Sequence, residues 1–396
     1  MTQTPNNRWL LPDGIDEVLP PDAVSVEQLR QQLLSLYDSW GYDLVMPAMI
    51  EFTDSLLTGT ANALDRKTFT LVDQLTGKQM GLRSDMTPQV ARIDAHKLAN
   101  TGTSRFCYCG QLVHAHADGL NPSRSPLQIG AEIFGNASIE ADIEVVCLML
   151  ETLQQIPLKD VSIDLGHVGI FRSLFEHSGL DKTLENVLFD MLQRKSIPEL
   201  KAFLNQQTLT ESVRNQFCQL ALLNGNVDII DEARLVFKDS AEECLAALDH
   251  IEAVAKGVQQ RFPKVLIHCD LSELRGYEYH TGLVFAAFLP GHGQDIARGG
   301  RYDDIGSVFG VARPATGFST DLLNLFHLSE FSTPVKAAIL APNIKDDNLQ
   351  LLVKQLRDNG ERVINDLSAG ETSAQQQMCN QQIIHDGQQW VVTEVK

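Results

Sequence analysis

The chain has 396 residues, 43% apolar and 21% charged, a globular composition long enough for two or three domains. A formal net charge of −19 and a pI near 4.9 leave no basic track for a nucleic-acid backbone, so no nucleic-acid partner is expected. No apolar run approaches the ~20 residues that cross a membrane, residues 1–8 lack the order of a secretion signal, and seven scattered cysteines suit a reducing cytoplasm.

In chain order, Pro20, Pro21 and Asp22 end one segment and offer an N-cap for a helix running to about Trp40. Val26, Leu29, Leu33, Leu36, Tyr37 and Trp40 recur along it at spacings of three and four, which makes one face apolar. Gly41 closes it, and Tyr42–Pro47 reads as a strand. Phe69–Asp73 and Gln79–Leu82 read as a hairpin turning at Thr76 and Gly77. The stretch from Leu82 to Gly135 organises the rest. Gln128 and Glu132 lie four apart on an apolar run, which puts both on one face of a strand, and Asp85 and Thr87, two apart, share a face in the same way. Two carboxylates, an amide and a hydroxyl so placed make a pocket for a small cationic ligand. Cys107, Cys109, His114 and His116 form C-x-C and H-x-H, but structural zinc pairs use two to four residues between cysteines, so Cys107 and Cys109 are read as buried strand cysteines and no metal is expected.

Glu140–Gln155 is a helix whose Ile143, Val146, Cys147, Leu150 and Leu153 form a core stripe. Val161–Leu165 alternates as a strand. From Val168 to about Phe262 the pattern is helical, with breaks near Gly179, Pro198 and Gly225, and residues 180–262 read as a helical insertion without a site of its own. Sheet pattern returns at Val265–Asp270. Gly299-Gly300-Arg301-Tyr302-Asp303, taken alone, is a tight turn before a helix. Beyond Pro334, Ala337–Leu340, Asn348–Asp358 and Glu361–Ile364 form a strand–helix–strand pattern, and Gln382–Ile384 and Trp390–Val395 add strands. The expected domains are therefore 1–330 and a small 331–396 unit.

Three blocks resemble histidyl-tRNA synthetase, a class II synthetase: Leu82–Thr87 with Gln128 and Glu132, then Leu274–Phe285, then Ala297–Asp303. The resemblance covers roughly residues 8–330. It implies an α+β fold: a class II synthetase-like antiparallel sheet with flanking helices, a helical insertion, and a small α/β C-terminal domain in place of an anticodon-binding domain. It also implies that the helix at 22–40 and the strand before Pro47 form a dimer interface. By the same resemblance histidine is held by Asp85, Thr87, Gln128, Glu132, Arg275, Tyr279 and His280, the last standing where the family has a second tyrosine. The ATP contacts depart from the family. His114, fourteen residues before Gln128, stands where the family has the arginine that grips the α-phosphate, and the acid two places on is His116. In the segment Gly317–Leu325, Asp321, Leu323 and Asn324 replace residues that close over ATP. A leucine and an asparagine cannot counter phosphate charge, and an aspartate repels it.

Losing one preorganised donor to a transition-state charge typically costs about 10²–10³ in rate, so two such losses leave adenylate formation negligible. Retained amino-acid contacts with lost ATP contacts resemble the regulatory subunits of ATP phosphoribosyltransferase, synthetase paralogues of histidine biosynthesis. That resemblance implies a non-catalytic chain with no cofactor. It implies self-association as a dimer within a hetero-oligomer, a short-form catalytic subunit as partner, and histidine as the allosteric ligand that switches the assembly off. An active histidyl-tRNA synthetase and a stand-alone histidine-binding module remain the alternatives; pyrophosphate exchange separates the first, and co-purification with a short phosphoribosyltransferase the second.

Overall fold

A computed structural model describes residues 9–56, 61–117, 122–274, 276–277, 279–334, 336–368 and 373–395. The chain divides into two compact units, Met1–Phe331 and Ser332–Lys396. Strands run in chain order as β1 (Asp43–Leu44), β2 (Ile50–Phe52), β3 (Thr70–Val72), β4 (Gln79–Leu82), β5 (Ser104–Gln111), β6 (Leu127–Phe134), β7 (Ser162–His167), β8 (Asn224–Asn226), β9 (Leu266–Asp270), β10 (Leu283–Phe288), β11 (Asp295–Arg301) and β12 (Ala315–Asp321). Among the described residues nine of them form the main sheet, in the order β1-β5-β6-β12-β11-β10-β7-β9-β8, and β2-β4-β3 form a small separate one. The centre of the main sheet, β5 to β7, is antiparallel; β1 on β5 and β9 on β7 are parallel additions.

The two faces of that centre differ in chemistry because side chains alternate along each strand. Ile129, Ala131 and Ile133 of β6, Phe318 of β12 and Phe285 of β10 point to one side and are buried there in the main core. The helix Asp22–Ser39 contributes Val26, Leu29, Leu33 and Tyr37 to this core, as its spacing predicts, although no side chain caps its start. The helix Ile139–Gln154 is buried nearly all round from Val145 to Leu150, so more than a single stripe is apolar. It lies between the sheet and the helix Glu242–Arg261, which also packs on β7 and on the helix Val168–Ser178. Residues of the helical stretch, including Leu188, Leu200, Phe217 and Leu248, join the same continuous core as the sheet. Each fully buried Ile or Leu of this kind contributes about 1.5–3 kcal/mol of transfer free energy.

Three sequence expectations change. The strand expected over Tyr42–Pro47 shrinks to the two residues of β1, since Pro47 offers no donor for a longer ladder. Asp85 and Thr87 do not lie on a strand: β4 ends at Leu82, and Thr87 opens the helix Thr87–Arg92 with Pro88 in its first turn. Gly299, Gly300 and Arg301 are the last residues of β11 rather than a turn. Gly299 is required there by packing, since a Cβ would lie 2.6 Å from the Phe285 ring.

The second unit is a four-stranded sheet among its described residues, β14 (Val363–Asn365), β13 (Ala338–Ala341), β15 (Cys379–His385) and β16 (Trp390–Glu394) in spatial order. The helix Asp347–Asp358 covers it with Leu349 and Val353, and is capped by Asp346, whose Oδ1 accepts from Leu349 N at 2.9 Å. Among the described residues no helix is long and apolar enough to cross a membrane.

Candidate functional site

On the other face of the main sheet the alternation leaves Gln128, Gly130 and Glu132 of β6, Arg298 and Gly300 of β11, and Gly317, Ser319 and Asp321 of β12. This face is polar and low, with glycines where the core face has large apolar residues. Above it lie Asp85, Thr87, Gly276, Tyr279 and His280, enclosing a cavity of about 310 Å³. A second cavity of about 280 Å³ adjoins it and shares Leu64, Lys67, Asp85, Arg298 and Ser319.

Glu132 lies in the wall of the first cavity, 1% exposed. Its Oε1 accepts hydrogen bonds from Thr87 Oγ1 at 2.9 Å and from the Tyr108 hydroxyl at 2.8 Å, and its Oε2 accepts from the Tyr302 hydroxyl. Burial pushes the Glu132 carboxyl up to about 7, against the lowering effect of the Tyr302, Tyr108 and Thr87 hydroxyls and with a small push from the Asp85 charge. Burial and the Glu132 carboxylate in turn hold both phenols protonated, Tyr108 and Tyr302 being pushed far above their ordinary range. Space for the carboxylate exists because residue 317, directly opposite on β12, is glycine; a Cβ there would overlap the Glu132 carboxylate.

Asp85 is fixed from two sides. Its Oδ1 accepts from Thr87 N, the first residue of the following helix, at 3.0 Å, and from Gln128 Nε2 at 2.9 Å. Gln128 is locked in that orientation because its Oε1 accepts from Met86 N at 2.9 Å and its Nε2 also reaches Ser319 Oγ at 3.2 Å. His280 packs between Gly276 and Gly300, where a Cβ would come within 2.6 and 2.8 Å of its ring. Gly276 also has φ of +69°, which a side chain would strain. Burial pushes the His280 imidazole down to about 4, so it is neutral, and its Nδ1–H donates to the Arg301 carbonyl at 3.3 Å. The cavity is thus lined by three carboxyl groups, Asp85, Glu132 and Glu273, and a neutral imidazole, with Lys67 and Arg298 also on its wall, which suits a small ligand with several N–H donors.

Of the residues singled out in the sequence, Asp85, Thr87, Glu132, Tyr279 and His280 line the first cavity. Gln128 lines the second and touches the first through Asp85. Arg275 lies outside the described residues. The second cavity collects His114, Asp321 and Asn324, three of the positions that depart from the ATP-binding pattern. His114 Nε2–H donates to the Ser84 carbonyl at 2.9 Å. Asp321 accepts from Leu127 N and Leu323 N, each at 3.1 Å, which makes it a structural cap. Burial is the main force on its carboxyl and raises it. Cys107, on the core face of β5, is buried, and burial pushes the Cys107 and Cys109 thiols up to about 12; no group of three or more potential metal ligands occurs among the described residues. Tyr108, Ser319 and Gly317 were not singled out from the sequence. Their signal was only the strand register that brings them opposite Glu132 and Gln128.

The fold is that of the class II aminoacyl-tRNA synthetase type, with the two adjoining cavities on the polar face of its sheet. The family described as "Histidyl-tRNA synthetase" matches residues 14–325, and "ATP phosphoribosyltransferase subunit HisZ C-terminal domain" matches residues 336–393. An "ATP phosphoribosyltransferase regulatory subunit/histidyl-tRNA synthetase" from Bacillus halodurans superposes with a TM-score of 0.83 at 25% identity, over 95% of this chain and 96% of that one. Histidyl-tRNA synthetase from Nostoc sp. PCC 7120 shares the fold with a TM-score of 0.78 at 19% identity, over 98% of this chain and 97% of that one. The ATP phosphoribosyltransferase regulatory subunit of Thioalkalivibrio sulfidiphilus is 51% identical over 99% of this chain and all of that protein. That of Pseudomonas syringae pv. syringae is 48% identical, with 98% of each chain covered. The chain belongs to the family of ATP phosphoribosyltransferase regulatory subunits.

Proposed function

We propose that this chain is the histidine-sensing regulatory subunit of an ATP phosphoribosyltransferase and has no catalysis of its own. It pairs with a short-form catalytic subunit, raises its turnover, and reverses that effect when histidine occupies the first cavity. The observation that carries this reading is the contrast between the two adjoining cavities. Glu132, held by three hydroxyls, and Asp85, held by Gln128, are kept ready for the imidazole and the ammonium group. Thr87, Tyr279 and His280 complete the pocket, with Arg275 as the family's further contact. The neighbouring cavity offers His114, Asn324 and the half-buried carboxyl of Asp321 where a triphosphate would need cations. A ligand site stripped of its chemistry acts only by changing another surface, and that coupling is reciprocal. Self-association is part of the same reading: Met46 is 82% and Val72 63% exposed, and with Ile50 and Phe52 they leave apolar surface on and beside the small β2-β4-β3 sheet for a second copy.

Calorimetry with free histidine tests the pocket. A charge-assisted hydrogen bond contributes about 1.5–3 kcal/mol, so Glu132→Gln and Asp85→Asn should each weaken histidine by roughly 10- to 150-fold. Unchanged affinity in both variants would move histidine to another site.

A further inference from the structure

A ligand in the first cavity changes another surface only if some element leads out of the cavity. The segment 271–282 between β9 and β10 has two sides. Glu273, Gly276, Tyr279 and His280 line the first cavity. Tyr277 turns the other way, into the helices, and is buried there. Its ring centroid lies 5.3 Å from those of Phe171 and Phe189, with the Arg172 guanidinium 5.2 Å from it. Its hydroxyl donates to Glu185 Oε1 at 2.9 Å, in the first turn of the helix Glu185–Gln193. Burial, with the Glu185 carboxylate beside it, pushes the Tyr277 phenol up to about 12, so it stays the donor. Glu185 is itself buried and also accepts from Lys182 Nζ at 2.9 Å.

Two further ties hold the same segment from the helical side. Arg172 Nη2, on the helix Val168–Ser178, donates to the His280 carbonyl at 3.1 Å. Lys195 Nζ pairs with Asp270 Oδ2 at 2.7 Å at the end of β9, and Asp270 Oδ1 accepts from Ser272 N at 3.1 Å. Beside these ties the seam is not filled. A third cavity, of about 250 Å³, separates Gln193, Arg194 and Lys195 from Asp270, Ser272 and Glu273. Glu273 lines both this space and the first cavity. Lys195 has φ of +50°, in the left-handed region that residues other than glycine seldom adopt. Close-packed rings pass a displacement on, and an open seam next to them leaves the helix room to take it up.

We propose that Tyr277 and Glu185 form the relay through which occupancy of the first cavity reaches the helix Glu185–Gln193. A ligand that fixes Tyr279 and His280 fixes Tyr277 with them, and the phenol holds Glu185 and tightens the first turn of that helix. Neither residue of the relay touches the ligand; both are positioning residues. The inference rests on the reading of the first cavity as a histidine pocket, and it gives the helical insertion a part in regulation.

The test is amide hydrogen exchange of the full chain with and without saturating histidine, beside calorimetric titration of the same proteins. In the wild type histidine should slow exchange across residues 185–193 by about fivefold or more, the low end of ordinary coupling. Tyr277→Phe keeps the ring and removes only the hydroxyl, and Glu185 keeps Lys182 as a partner. That variant should bind histidine within about threefold of wild type and yet slow those amides by less than about twofold. Glu185→Gln still offers the phenol an acceptor and should retain the slowing. Binding without slowing in the wild type, full slowing in Tyr277→Phe, or loss of histidine binding in Tyr277→Phe overturns the relay while leaving the pocket standing. A wild-type chain that does not bind histidine overturns the pocket and this inference together.

Discussion

Replacing Glu132 by glutamine removes a titrating group that the fold holds against its chemistry, and the effect should appear in the pH dependence of stability. The carboxyl is displaced from its ordinary 4.5 to about 7, chiefly by burial. Between those values the native chain keeps the proton while the unfolded chain releases it, so this group lowers stability as pH rises from 4.5 to 7 and is constant outside that window. The displacement amounts to about 3 kcal/mol. His167 and His280 act in the opposite sense: burial takes them down to about 3 and about 4, so their contribution is lost as pH falls below ~6.5. Those contributions are common to variant and wild type and cancel in the difference. Unfolding entropy is about 2.1 cal/mol/K per residue, which for the unit Met1–Phe331 makes 3 kcal/mol roughly 4 °C. Scanning calorimetry of the ligand-free proteins from pH 4.5 to 8 should therefore find the Tm of Glu132→Gln rising relative to wild type by about 4 °C. A difference that stays flat across that range, or falls, would refute a buried Glu132 carboxyl raised to about 7 in the wall of the cavity.

Gly317→Ala places a methyl group against the Glu132 carboxylate, so it should cost about 1–3 kcal/mol and weaken histidine binding as well; unchanged Tm and affinity would mean the carboxylate is not confined there. The purified chain should catalyse no histidine-dependent ATP–pyrophosphate exchange, because His114, Asp321 and Asn324 occupy the second cavity. Exchange within about tenfold of a working synthetase would show that the cavity accepts and activates ATP.

Much of this was legible in the sequence because local periodicity and tertiary placement agree. The spacing of Leu29, Leu33 and Tyr37 sets one helical face, and all three are fully buried. Gln128 and Glu132 lie on one strand face as their spacing of four requires. The misreadings came from residues whose role is set by distant neighbours. Asp85 and Thr87 look like alternating strand positions, but Pro88 marks the first turn of a helix, and Asp85 holds the first backbone N–H of that helix as well as lining the cavity. Gly299 and Gly300 look like a turn, and become strand residues because the rings of Phe285 and His280 fill the space a side chain would need. Tyr108 carries no motif of its own, and Ser319 and Arg298 lie inside motif segments that do not single them out. Only the register of β5, β6, β12 and β11 brings them to the site.

The steady-state rate at which a short-form catalytic subunit makes phosphoribosyl-ATP, with and without this chain across a histidine titration, tests the regulatory assignment most directly. The chain should raise the rate at saturation, and histidine should reverse the rise with an apparent affinity shifted about 5- to 150-fold by the complex, the range of ordinary allosteric coupling. A catalytic rate that is the same with and without the chain, at every histidine concentration, would contradict it.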